Sequence, residues 1–325
     1  MNLKNNHIFV FYSILYISLL FGFFLNEDLT LGTKIDHETH LKIINILGQD
    51  FINVLLNFDK LGLSSAHSPF FYSVYLIIKK ISFDNELILR LINLHISLFI
   101  PYIFYLILIT KDKIINNNLI KLLPGIFFIS PYFRSGSFWI GSENISLIFL
   151  FSSFYVYLLF EKQKNKKFNL IILNIIFLSL AAYLRPIYSL FSVFFLISLF
   201  NDLIKIKRIF HYILLNLIIA LPAFYYIFIL KVNFFYIHIG EQPITISRFI
   251  NQFSIVTSVL LFYSTPIIIF NFKNLIKSFF KTDNLIFCII FTSILITFFN
   301  YNFNYGGGIF YKISSIFFSN NYLFY

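Results

Sequence analysis

The residues of this chain that could do chemistry are gathered in one polar stretch, 25–69. It reads Lys34-Ile35-Asp36-His37-Glu38-Thr39-His40 near its start and His67-Ser68-Pro69-Phe70-Phe71-Tyr72 at its end. Of the 14 acidic residues, eight lie between Glu27 and Glu86: Glu27, Asp28, Asp36, Glu38, Asp50, Asp59, Asp84 and Glu86. Three of the seven histidines, His37, His40 and His67, are there too. A carboxylate fixed at a membrane face suits general-base work on a hydroxyl, and Asp36 and His40, four apart, share one face of a helix. The bland alternative is a solvated acidic loop, or Asp36 as a helix N-cap. Asp36, His37 and His40 also invite a metal reading, but His-x-x-His alone lacks the His-Glu-x-x-His frame and a third ligand at fixed spacing. His67-Ser68-Pro69 alone is no more than a turn before a helix.

Two arginines, Arg134 and Arg185, sit at the ends of short apolar runs. A guanidinium near hydrocarbon snorkels, pairs or works, and two on the same face as the carboxylates suit a phosphate clamp. Glu143 is placed to pair with Arg134, and Glu86 with Arg90 four residues on. Trp139, the only Trp, is expected in an interfacial belt. Asn144-Ile145-Ser146 matches a glycosylation sequon at the start of an apolar run. Gly306-Gly307-Gly308 is not a phosphate loop, because no Gly-Lys-Ser/Thr follows it.

A membrane must position these groups. The 325 residues are 58% hydrophobic and 12% charged, with a mean hydropathy of +0.81. Soluble domains carry about 25% charged residues, so a soluble globular fold is excluded. The pattern predicts an all-α polytopic membrane helix bundle of roughly nine or ten spans. Spans are expected at 8–25, 86–109, 119–132, 144–160, 209–230, 249–270 and 285–299. The run 168–200 is two short spans meeting at Arg185 in Tyr183-Leu184-Arg185-Pro186, and 309–325 is a last short helix. The first span has no small-residue cleavage site after it and reads as uncleaved. The outer loop 26–85 carries amphipathic interfacial helices. One covers 38–58, with Leu41, Ile44, Leu47, Phe51, Leu55 and Phe58 on one face. The other covers 69–81 and begins on a proline. The single Cys288 rules out a disulfide framework.

The net charge of +11 invites a nucleic-acid reading, which the distribution removes. With alternating spans, 14 of the 25 Lys and Arg fall on one side: Lys4; Lys111, Lys113, Lys121; Lys162, Lys164, Lys166, Lys167; Lys205, Lys207, Arg208; Lys273, Lys277, Lys281. The positive-inside rule then places the N-terminus in the cytoplasm and the acidic loop outside the plasma (inner) membrane.

In this order and spacing the segments resemble the GT-C superfamily of integral-membrane glycosyltransferases, which includes protein O-mannosyltransferases and aminoarabinose transferases. Asp36-His37-Glu38 stands where the family has an Asp-Glu-type motif, here with one residue inserted. Asp36, His40 and Gln49 are similar to an acidic–His–Gln pattern of some members, and His67-Ser68-Pro69-Phe70-Phe71-Tyr72 to a His-Pro-Pro-Leu-Tyr-Tyr segment. Asn85-Glu86-Leu87-Ile88-Leu89-Arg90-Leu91 resembles the family's entry into span two. Pro131, Arg134 and Glu143-Asn144 resemble its connection between spans three and four. The likeness covers about 8–200. It implies one transmembrane domain over 1–325 with an outer catalytic loop at 26–85. It further implies inverting transfer of a hexose or pentose from a polyprenyl-phosphate donor to a hydroxyl of a glycolipid, polysaccharide or protein. Asp36 would be the base with Glu38 assisting, Arg134 or Arg185 would neutralise the lipid phosphate, and His40, His67 and Glu143 would contact substrate. Some members use a divalent metal ion; no cofactor is assigned here. Family chains are usually longer, so a C-terminally truncated or minimal form is expected. Rival readings are a secondary transporter, which would show paired broken helices and midplane charges, and a non-catalytic polytopic membrane protein.

Overall fold

A computed structural model describes residues 5–30, 33–58, 67–111, 118–163 and 167–230. The chain divides into two compact units, Met1–Gly240 and Glu241–Tyr325, and all described residues belong to the first. The spans expected at 249–270 and 285–299, and the stretch 309–325, lie outside the described residues. Among the described residues every regular element is helical. Among the described residues, five helical stretches are long and apolar enough to cross a bilayer: Asn6–Phe24, Glu86–Lys111, Ser142–Lys162, Pro186–Lys205 and Ile209–Ile229. At 1.5 Å per residue each is matched to a hydrocarbon core about 30 Å thick. Their outward residues are large and apolar, among them Phe9, Phe21, Ile197 and Phe210, as a lipid-facing surface requires. The protein is an all-α polytopic membrane helix bundle.

Helix α1, Asn5–Phe24, ends on Asn26 in the left-handed region (φ 54°). The Asn26 N–H donates to the Phe23 carbonyl and the Glu27 N–H to the Gly22 carbonyl, a Schellman turn that satisfies two orphan carbonyls. Asparagine tolerates this conformation better than other non-glycine residues. The turn folds Glu27 back towards the bundle.

The amphipathic helix expected over 38–58 is two helices, α2 (Thr33–Gln49) and α3 (Phe51–Leu56). Asp50 restarts the helix by accepting from the Asn53 N–H at 3.3 Å, as a capping carboxylate does. The restart rotates the face, so Val54 is buried and Phe51 is exposed. On α2 the buried stripe is His37, His40, Ile43, Ile44 and Leu47. Helix α4, Pro69–Ile81, begins at the expected proline and buries Phe71, Tyr72, Tyr75 and Ile78.

The second span is α5 (Glu86–Ser97) and α6 (Phe99–Lys111). They part at Leu98, where Pro101 offers no N–H to the Ser97 carbonyl. The expected third span is shorter than a membrane crossing: α7 (Asn118–Leu122), a 3-10 turn and α8 (Ile126–Ile129). The segment after it, which the resemblance makes the connection between spans three and four, is a buried helix, α9 (Pro131–Phe138). Then come α10 (Ser142–Lys162), α11 (Phe168–Leu184), α12 (Phe191–Lys205) and α13 (Ile209–Phe224). The break between α11 and α12 falls at Arg185-Pro186, as expected.

Helices α2 and α4 pack at the end of the bundle where α5 and α10 begin. Ile44, Leu47, Phe71, Tyr72 and Tyr75 form one core with Leu89, Ile140, Ile145 and Leu184. Outside hydrocarbon, burying such a side chain is worth about 1.5–3 kcal/mol, enough to hold the polar helices on the bundle. The lysines Lys111, Lys162 and Lys205 mark the other ends of the membrane-crossing stretches.

Two buried asparagines fix the parts beneath. The Asn93 amide donates to the carbonyls of Gly136, Ser137 and Trp139, and its oxygen accepts from the Tyr75 hydroxyl at 2.7 Å. The Asn144 amide donates to Ser97 Oγ, Ser137 Oγ and the Phe133 carbonyl. Asn144 is only 3% exposed, so its sequon is closed to a glycosylating enzyme in the folded protein.

Candidate functional site

Asp36 lies in the first turn of α2 rather than at its cap, and both it and Glu38 are exposed. Partial burial holds the Asp36 carboxyl above the usual carboxylate range, and the negative charges of Glu143 and Asp28 push it the same way. Glu143 stands in the first turn of α10. Arg185 is the residue between α11 and the turn leading to α12, and its Nη1 donates to Glu143 Oε1 at 2.7 Å. Segments far apart in sequence therefore bring Asp36 within electrostatic reach of the Glu143–Arg185 pair at the polar end of the bundle. Glu143 pairs with Arg185, where the sequence suggested Arg134. Gly141 caps α10, and a Cβ on it would stand 2.7 Å from a Glu143 carboxylate oxygen, a contact that a turn of that side chain relieves.

His40 and His67 come together. Their rings are 4.9 Å apart, with Phe71 packed on both. His40 Nδ1 shares a hydrogen bond with the Tyr72 hydroxyl at 3.3 Å. Burial first, and the neighbouring His67 second, lower the His40 pKa to about 3. His40 is therefore neutral at physiological pH. Ser68 does not cap α4 with its side chain; its hydroxyl donates to the Tyr183 carbonyl. That bond ties the start of α4 to the end of α11, next to Arg185.

His37, weighed from the sequence only as a metal ligand, proves to be a hub. The Ile140 N–H donates to its Nδ1 at 3.1 Å, so its proton is on Nε2, which donates to Glu86 Oε1 at 3.1 Å. Burial lowers the His37 pKa, with Glu86 opposing the shift. Glu86 thus pairs with His37 and not with Arg90. His37 and His40 continue the spacing of Ile44 and Leu47 (37, 40, 44, 47) on the buried face, and that periodicity was the signal that could have found the hub.

Arg134 is not part of the Asp36 cluster. It is bidentate with Glu27, from Nε to Oε1 and from Nη2 to Oε2, both at 2.6 Å. Its remaining donors meet Ser18 Oγ, the Ser18 carbonyl and the Phe128 carbonyl. All five N–H groups are used, so this arginine is a structural clamp between α1 and α9. Arg90 donates to the Phe138 carbonyl and to Asn26 Oδ1 and lies 3.8 Å from the centre of the Trp139 ring. Trp139 itself is buried and donates its Nε1–H to the Glu27 carbonyl at 2.9 Å. This replaces the interfacial-belt role expected of it: the indole closes the turn after α1.

Both His37 nitrogens and His40 Nδ1 are engaged, and among the described residues no three of His, Cys, Asp and Glu stand close enough to share a metal ion. No protein-family model, no curated protein and no solved structure matches the chain.

Proposed function

We propose that this protein is a membrane-embedded inverting glycosyltransferase that moves a sugar from a polyprenyl-phosphate donor to a hydroxyl acceptor at the outer membrane face. One observation carries the reading: Asp36 converges with the Glu143–Arg185 pair beside the His40–His67 couple at the polar end of the bundle. The acceptor oxygen attacks the anomeric carbon as the carbon–oxygen bond to the lipid phosphate breaks. The hydroxyl proton passes to Asp36, and polyprenyl phosphate leaves. A carboxylate whose proton affinity is raised by its neighbours is a stronger base for this task. Arg185 is half-exposed and uses one N–H on Glu143; its other donors can meet the phosphate, whose charge grows as the bond breaks. Glu38, exposed two residues on and just over half a turn round α2 from Asp36, has only an assisting part in orienting the acceptor. His40, neutral, and His67 line the acceptor side.

The test is transfer of radiolabelled sugar from a panel of polyprenyl-phosphate donors in isolated membranes. Asp36→Asn should lower the rate by about 10²–10⁴, the usual worth of a positioned base, with expression and thermal stability unchanged. Full activity in that variant would remove Asp36 from the mechanism. A wild-type protein inactive with every donor would favour the non-catalytic reading.

A further inference from the structure

A second feature lies at the opposite, lysine-bearing end of the bundle and is independent of the transferase reading. Between α1, α6 and the α7–α8 segment is a cleft of about 420 Å³, within the range of roughly 300–1,000 Å³ typical of ligand clefts. Ile8, Leu98, Pro101, Pro124 and Phe128 supply apolar wall, Tyr12, Tyr102 and Tyr105 supply aromatic wall, and Lys121 contributes the only charged side chain of the lining. Its walls belong largely to membrane-crossing stretches, so its contents come from the bilayer and not from water. Two hydroxyls of the wall are already engaged: Tyr12 donates to the Lys121 carbonyl, and Tyr16 donates to His95 Nε2, whose ring proton is on Nδ1 against the Leu91 carbonyl. What remains is a largely hydrocarbon slot with Lys121 as the charged residue of its lining. Lys111, at the end of α6, adds a second positive charge on that side. The parting of α5 from α6 at Leu98, with Leu98 and Pro101 in the wall, makes the slot a built feature of the helix path.

We infer that this cleft binds one acyl chain of an anionic glycerophospholipid from the leaflet on the lysine-bearing side, with the lipid phosphate on Lys121. The chain fills the slot lined by Tyr12, Tyr102 and Tyr105, and the ammonium selects the headgroup by charge.

The probe is phosphatidylglycerol with a photoactivatable diazirine in one acyl chain, in vesicles holding the full-length protein, beside the same analogue of phosphatidylcholine. Cross-links mapped by mass spectrometry should concentrate on 8–16 and 98–105 and favour phosphatidylglycerol. Lys121→Gln should lower the phosphatidylglycerol cross-link about fivefold, the worth of one interfacial lysine, and leave the phosphatidylcholine yield unchanged. Lys121→Arg should keep the preference, and Ile8→Trp, which fills the slot, should lower both lipids. Thermal unfolding of each variant in micelles separates loss of the site from loss of the fold. Cross-links spread evenly over α12 and α13, equal yields for the two lipids, or a folded Lys121→Gln protein with undiminished preference would overturn the inference.

Discussion

At the scale of residues, the candidate site is governed by which charges neighbour which. The Glu143 charge is one reason the Asp36 carboxyl is raised. Glu143→Gln removes that repulsion and releases the Arg185 charge, and both effects lower the Asp36 pKa. The acid limb of the transfer rate should therefore move to lower pH. A shift upward, or none, would show that Asp36 is not the titrating group. His40 gives a second pH dependence. Its pKa is lowered to about 3 by burial, against about 6.5 in an unfolded chain. The stability it lends is complete above that unfolded value and is lost as pH falls from there towards 3. The thermal midpoint of His40→Gln should fall less steeply than wild type between those limits, whatever its level at neutral pH. The acidic cluster and the arginines could be read from spacing alone. The partners could not, because Glu27 meets Arg134, and Glu143 meets Arg185, across chain separations that no local pattern encodes.

At the scale of elements, the turn after α1 is held from four sides. Glu27 takes Arg134, its carbonyl takes Trp139, Asn26 takes Arg90, and the Leu29 N–H donates to Ser135 Oγ. Removing Arg134 leaves a carboxylate, 19% exposed, without its partner. Arg134→Ala should cost about 3–5 kcal/mol, read as a lowered midpoint of unfolding in detergent. Gly22→Ala should act on the same contact, since its Cβ would overlap the Glu27 carboxylate and the Arg134 guanidinium. The Arg134→Ala/Glu27→Ala double variant should lose less than the sum of the two single changes. Legibility followed the physics of each element here. Helices α1, α4 and α10 were visible because their apolar runs or proline starts are local signals. The split at Asp50 was not, because a capping carboxylate inside an amphipathic run looks like one more polar-face residue. Helix α9 was not, because Ser135, Gly136 and Ser137 look solvent-facing in sequence and are buried only against Asn93, Asn144 and the turn after α1.

At the scale of the whole molecule, hydropathy alone defines the class: the bundle is built from stretches that water could not solvate. Sidedness rests on charge. Helix α2, with Asp36 and Glu38, and helix α4 gather where α5 and α10 begin, and Lys111, Lys162 and Lys205 stand at the far ends. In a Cys288→Ser background, Lys80→Cys should react with a membrane-impermeant maleimide in intact cells. Lys162→Cys should react only after permeabilisation. The reverse pattern would invert the topology and move the candidate site to the cytoplasm.

The Glu27–Arg134 clamp also bears on how the protein is made. Its partners are 107 residues apart, and the acid is synthesised first. When α1 enters the bilayer, its carboxylate has no cation to meet until α9 has left the ribosome. Until then the first helix is inserted but not docked, and its end must stay in contact with water or with the insertion machinery. Docking of α1 is thus a late event of biogenesis, timed by the emergence of one arginine.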